Sequence, residues 1–402
     1  MRFGRRALAV FASLVVLSVG PVSLASAEAR GENSADWQLR INSTARLIAG
    51  LAPTYPEHRA LAERPEWKAH SAKLQASWAW LRKQQIAPLT DWRNGAMPRA
   101  CPAGNTLLYP FSGPDFFNAY WLFPNCETYV MFGLEPIGTP PAIEKMNDVQ
   151  LTRLLTDVRE AMANLLARNY FITSRMDKQM QAEELNGVVP IIMISMALAG
   201  VEVLEISPMT LVRPRQAEQA NAESGARPRR KLKGVSIVFR KPDSPVPQRL
   251  NYFSVDASNV GMARYPQFRD YLRSLAPTTT LIKSASYLLH VGEFKRMRNL
   301  LLDVSGFLVQ DDTGVPYEVL VKRGWQLNVY GRYEVPIPPF ERHYQPELAE
   351  AYFAGNPAPL AFRFGYRRKF ADDRSNVMVG QRITPRRVGS GKDAARTPAP
   401  IR

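Results

Sequence analysis

The chain has 402 residues, with 52 Lys and Arg against 36 Asp and Glu, a formal net charge of +16 and 46% hydrophobic residues. That apolar content suffices for one large domain or two modest ones, and two cysteines are too few for a disulfide scaffold, so a packed core must carry the fold. No internal repeat is present.

Residues 1–27 read as a secretory signal. Arg2, Arg5 and Arg6 form the basic start, residues 8–19 the apolar stretch, and Ala25-Ser26-Ala27 the small-residue cleavage site. The apolar stretch is shorter than the roughly 20 residues a spanning helix needs. No cysteine for a lipid anchor follows it. Downstream, residues 188–203 are the most apolar run, interrupted by Pro190, Ser195, Gly200 and Glu202, so no transmembrane segment is expected in the mature chain. The expectation is a periplasmic or secreted protein. In an oxidising compartment Cys101 and Cys126 are expected to pair, closing a loop of about 25 residues worth roughly 3 kcal/mol, with two separate buried thiols as the alternative.

Residues 28–100 read as a helical region: one helix from Asp36 to about Gly50, a longer one from about Pro56 to Gln85. Trp67, Trp78, Trp80 and Trp92 raise the possibility of stacking on sugars, but Trp67 and Trp78 fall at core spacing with Leu74 and Leu81.

Residues 101–139, CPAGNTLLYPFSGPDFFNAYWLFPNCETYVMFGLEPIGT, concentrate the special chemistry of the chain. Residues 106–111 read as a strand, Ser112-Gly113-Pro114-Asp115 as a tight turn, and residues 116–123 as a short helix capped by Asp115. A second strand follows at 127–134. Strand, tight turn and helix in succession are where α/β folds present side chains at the carboxyl end of a strand. Asp115 and Ser112 are therefore candidate catalytic groups, with Tyr109 and Asn118 as binding neighbours; a simple turn cap is the competing assignment. The run YPFSGPDFFNAYWLFPNCETYVMFGLEPIG resembles a family of exported bacterial proteins. The segments TTLIKSASYLLH and QDDTGVPYEVL belong to the same resemblance, which covers most of the mature chain. It implies one evolved unit and brings no activity with it.

Further on, residues 142–170 read as a helix, 173–198 as one or two more, and 201–206 as a strand. Residues 234–239 and 249–254 form a hairpin and 268–275 a short helix. Residues 209–233 and 385–402 are basic and poor in apolar residues, reading as a flexible insert and tail. Their charge points to anionic envelope polymers or lipid head groups, or simply to a solvated surface, rather than to nucleic acid.

Residues 278–290 group Lys283, Ser284, Ser286, Tyr287 and His290. His290 is the best single acid–base candidate, Ser284 a candidate nucleophile, and Lys283 and Ser286 binding candidates; a hydrogen-bonded core histidine is the competing assignment. Residues 294–304 read as a helix. Asp311 and Asp312 in DDTG are further binding candidates. The two apolar runs around them, 306–310 and 316–321, read as a hairpin, and without a second such motif an aspartic protease is not supported. Strands are expected at 325–333, 362–367 and 376–380 and a helix at 347–353. Arg363, Arg367, Arg368 and Lys369 suggest a basic outer sheet face, and Glu341, His343 and Glu347 a weak metal set. There is no P-loop in a strand–helix setting, no G-x-G-x-x-G, no H-E-x-x-H and no C-x-x-C, leaving no motif for ATP, NAD or structural zinc.

The fold expected is α/β: a mixed sheet with flanking helices, residues 101–384, behind the helical region. An α+β arrangement with a C-terminal β-subdomain is the alternative. Two functions follow: an exported protein binding an envelope partner (an anionic polymer or another envelope protein), or a metal-independent hydrolase or transferase using Asp115 and His290.

Overall fold

The computed structural model describes residues 34–97, 101, 104–171, 184–212, 231–366 and 375–382. The expected signal segment, residues 213–230 of the basic insert, and the tail lie outside these residues, as do Arg367, Arg368 and Lys369, while the two ends of the insert, 209–211 and 232–233, are strand rather than flexible.

Among the described residues nine strands form one sheet: β1 Thr106–Pro110, β2 Thr128–Gly133, β3 Glu202–Leu211, β4 Leu232–Arg240, β5 Gln248–Ser254, β6 Thr278–Ile282, β7 Ser305–Gln310, β8 Trp325–Gly331 and β9 Asn376–Arg382. Their order is β3-β4-β5-β2-β1-β6-β7-β9-β8. The middle five, β5-β2-β1-β6-β7, are parallel, while β3–β4, β4–β5, β7–β9 and β8–β9 pair antiparallel. The α/β expectation is met, and the C-terminal strands extend the same sheet. The chain passes from β1 to β2, goes out to the sheet edge at β3, comes back through β4 to β5 beside β2, and then crosses to place β6 on the other flank of β1. The crevice between the loops leaving β1 and β6 is thus a topological switch point, where open α/β sheets receive ligands.

Parallel strands buried on both faces read as continuous apolar runs. In β1, Leu107 and Tyr109 point to one core and Leu108 to the other. The larger core packs against α1 Ser34–Ile48, α2 Pro56–Ala62, α3 Pro65–Leu81, α4 Ala87–Ala96, α5 Phe116–Leu122, α6 Asp148–Arg168 and α7 Val189–Ala199. The second packs against α8 Asn259–Arg264, α9 Pro266–Ser274, α10 Lys295–Val304 and α11 Tyr317–Lys322, while α12 Pro346–Gly355 holds a smaller cluster with β9.

The long helix expected from Pro56 to Gln85 is two helices and a π turn, interrupted before Pro65, which occupies an N-terminal helical position. Two of its three tryptophans serve the core, while Trp80 is exposed beneath the Arg363 guanidinium (4.5 Å). Trp67 and Trp78 are buried, and their indole N–H groups donate to the carbonyls of Leu47 (3.0 Å) and Ala49 (2.8 Å). His70, Ser71 and Gln75 donate to Ile48 and Gly50 (2.7–3.0 Å). Five side chains, all from α3, thereby satisfy the open carbonyl end of α1.

Two expected strands are absent among the described residues. Residues 317–322 form α11, so DDTG joins a strand to a helix; the β7 partner position is already taken by β9. Phe362 and Phe364 are buried from a loop, and Arg363 reaches the carbonyl of Ala167, so no basic strand face forms there. No described helix is long and apolar enough to cross a membrane. Cys101 and Cys126 are disulfide-bonded, with Cα atoms 5.2 Å apart, tying together the segments that enter β1 and β2.

Candidate functional site

The turn after β1 folds as its residues dictate. Asp115 caps α5, its Oδ1 accepting from the Asn118 N–H (3.2 Å) and the Asn118 side-chain amide (2.9 Å). Its Oδ2 accepts from the Tyr109 hydroxyl (2.8 Å) and from Lys283 Nζ (3.3 Å), which leaves the end of β6. Lys283 also donates to the carbonyl of Asn169, the left-handed residue closing α6, and Asn118 donates to the Asn169 side chain (3.0 Å). Asp115 is 3% and Lys283 2% exposed. A buried pair of opposite charges, each with further hydrogen-bond partners, is a seam that holds β1, β6 and α6 in register. Burial beside Asp115 keeps the Tyr109 phenol protonated, well above its ordinary range. The Ser112 hydroxyl is buried, its single proton shared between the carbonyls of Gly113 (3.1 Å) and Phe132 (3.4 Å).

A second group lies at the ends of β6 and β7. Asp311 accepts from the Ser284 N–H (2.8 Å), the Thr313 N–H (3.0 Å) and the Thr313 hydroxyl (2.5 Å). Asp312 accepts from the Tyr287 hydroxyl and the Asn376 amide (3.0 Å). Burial, then the charge of Asp312, pushes the Asp311 carboxyl up to about 7; burial also raises Asp312. Ser286 bonds the Tyr366 hydroxyl (2.9 Å), which donates to the Ser284 carbonyl (2.8 Å), while the Ser284 Oγ is buried without a partner among the described residues. His290 packs edge-on to Tyr287 and His343, with ring centroids 5.0 and 5.6 Å away. Burial, then His343 and Arg298, lowers its pKa to about 4.

Asp115 and His290 therefore belong to different networks. Tyr109, Asp115, Asn118 and Lys283 come together in one; Ser284, Ser286, Asp311, Asp312 and His290 lie around the other. His343 stacks flat on Tyr287, 4.9 Å between centroids, and no group of three metal-ligating side chains exists among the described residues.

The third feature is a cavity of about 100 Å³ on the β1–β2–β5 side of the crevice, walled by Phe111, Glu135, Val255, Asp256, Leu288 and Phe294. Glu135 follows β2 and Asp256 follows β5, the next parallel strand. Glu135 is 4% exposed and leans over the β1 turn. A Cβ on Gly133 would stand 2.3 Å from its Oε2, and one on Gly113 (φ +50°) 3.3 Å from its carboxyl, so both glycines let that carboxylate approach. Asp256 accepts from the Ser258 N–H (2.8 Å) and hydroxyl (2.9 Å).

Six non-glycine residues among those described have positive φ, and five surround these features: Phe111, Asn169, Ser284, Ser286 and Tyr287. Backbone strain of this kind gathers at ligand sites. The sequence reading passed over Glu135, Asp256, Phe111 and Asn169. Glu135 had one available signal, an acidic residue closing the strand about 20 residues after the glycine turn.

The chain matches no family model, no curated protein and no solved structure in the comparisons made.

Proposed function

We propose that the chain binds a nucleoside-bearing small molecule at the switch point, with the base between Phe111, Val255 and Leu288 and the ribose hydroxyls on Glu135. The observation that carries this reading is the placing of two carboxylates, Glu135 and Asp256, at the ends of adjacent parallel strands around one cavity. An acid at the end of the second strand is the group with which doubly wound domains hold ribose. Asp256 supplies an acceptor for an exocyclic amine. The Glu135 carboxylate lies against the β1 turn, where a phosphate would otherwise sit, and repels an anion there. The ligand is accordingly a neutral or cationic nucleoside rather than a di- or triphosphate. Phe111 lines a space smaller than the roughly 300 Å³ of an ordinary ligand pocket, so its ring swings out on binding.

Export remains part of this proposal, resting on residues 1–27 and on the resemblance. Residues 213–230 and 383–402, most of the basic segments on which binding to an anionic polymer would depend, lie outside the described residues, and no observation favours that reading over the cavity.

Titration calorimetry with adenosine, S-adenosylmethionine, ATP and NAD tests it. Binding of one of the first two, at least tenfold tighter than ATP and weakened tenfold or more by Asp256→Ala, is the expected outcome. Tighter binding of ATP or NAD, or no binding of any, refutes it.

A further inference from the structure

The loop after β6 separates two sides of the crevice. Leu288 faces the cavity just described; His290 and Tyr287 adjoin the loop after β7. The Nε2 of His290 is covered by protein yet has no hydrogen-bond partner among the described residues. The nearby backbone of Asp312 and Gly314 favours a proton on the imidazole; with that proton on Nδ1, the Nε2 lone pair is free to accept. A buried acceptor without a donor costs free energy unless something supplies one.

The surroundings define what would fit. Tyr287 is held rigidly by its hydrogen bond to Asp312. His343 lies parallel to it, 4.9 Å away at 7°, and Phe340 stacks on Tyr366 at 5.4 Å. His343 and Phe340 both come from the short helical stretch Pro338–His343, none of whose residues is buried. That stretch is the layer over His290, and the His343 ring fills a flat slot on Tyr287. When it lifts, the slot has room for one planar ring, with Nε2 within reach at its edge.

We infer that the ends of β6 and β7 form a second subsite, which takes a planar aromatic ring bearing an O–H or N–H donor, stacked on Tyr287 and hydrogen-bonded to His290 Nε2. This subsite stands on observations separate from those for the nucleoside and is tested without it. His343→Ala empties the slot and leaves His290 in place. The probes are 4-cyanophenol and benzonitrile, the same ring with and without a donor, titrated by calorimetry at neutral pH. In His343→Ala, 4-cyanophenol should bind at least tenfold more tightly than benzonitrile. Adding His290→Phe should abolish the preference, whereas adding His290→Gln, which keeps an acceptor, should retain part of it. Melting curves establish that each variant is folded. Equal binding of the two probes, no binding of either, or a preference that survives His290→Phe overturns the inference.

Discussion

Asp115 and His290 stand beyond the ends of neighbouring parallel strands, and the sequence presents them as equals, each a lone titratable group in an apolar setting. Their surroundings divide them. Asp115 has Tyr109, Asn118 and Lys283 filling its oxygens at 2.8–3.3 Å, and 3% of it is exposed. His290 has an empty Nε2 beneath a surface stretch. The saturated group has no valence left for a substrate, and its removal should be felt in stability. The unsaturated group contributes little to the fold, and its removal should be felt in binding.

The largest effect expected is therefore at Lys283. Lys283→Met leaves Asp115 as an unpaired buried charge and should cost about 3–5 kcal/mol in urea unfolding, with much of the loss recovered in the double variant Asp115→Asn/Lys283→Met. A cost under about 1 kcal/mol would erase the contrast.

His70 extends the comparison to a saturated histidine. Arg159 donates to its Nδ1 (3.2 Å), and its Nε2 donates to Ile48. Burial above all lowers its pKa from 6.5 to about 4. The fold holds it neutral while the unfolded chain protonates it, so this contribution is complete above pH 6.5 and is lost as pH falls toward 4. The loss amounts to about 3 kcal/mol, at about 1.4 kcal/mol per unit. Unfolding free energies across that window should show the slope, and His70→Gln should flatten it.

Ser112→Ala removes the hydroxyl proton shared between the carbonyls of Gly113 and Phe132, the latter keeping the Ser112 N–H as a partner, and should cost about 1 kcal/mol by thermal melting. Smallest of all, His290→Gln should change stability by about 0.5 kcal/mol or less, since the Gln amide keeps a donor for the backbone of Asp312 and Gly314 and Nε2 makes no bond to lose. A loss of several kcal/mol there would mark His290 as a core residue and break the comparison from the other side.

The elements were legible where one physical signal acted alone. β1, β2, β4, β5 and α10 follow from apolar runs and their turn residues, and the cap at Asp115 follows from its place before Phe116. Residues 316–321 misled because Val319, Leu320 and Val321 suit a short strand as well as a helix, and which they become depends on β9 arriving from later in the chain. Residues 362–366 alternate like a strand but bury Phe362 and Phe364 from a loop. The capping box of Asn147 and Gln150, which starts α6 later than expected, was present in the residues as N-D-V-Q. The site was legible only in pieces. Lys283 meets Asp115 across 168 positions, and Glu135 meets Asp256 only through the strand order. Local patterns identify the loops that carry a site; the pairing of distant strands decides which loops share it.

The most direct measurement is a crystal structure of the chain grown with adenosine. The account predicts density in the cavity at the ends of β2 and β5, with the ribose hydroxyls on Glu135, the base beside Asp256 and the Phe111 ring displaced. An empty cavity with Phe111 in place, or a nucleoside bound elsewhere on the molecule, would contradict it.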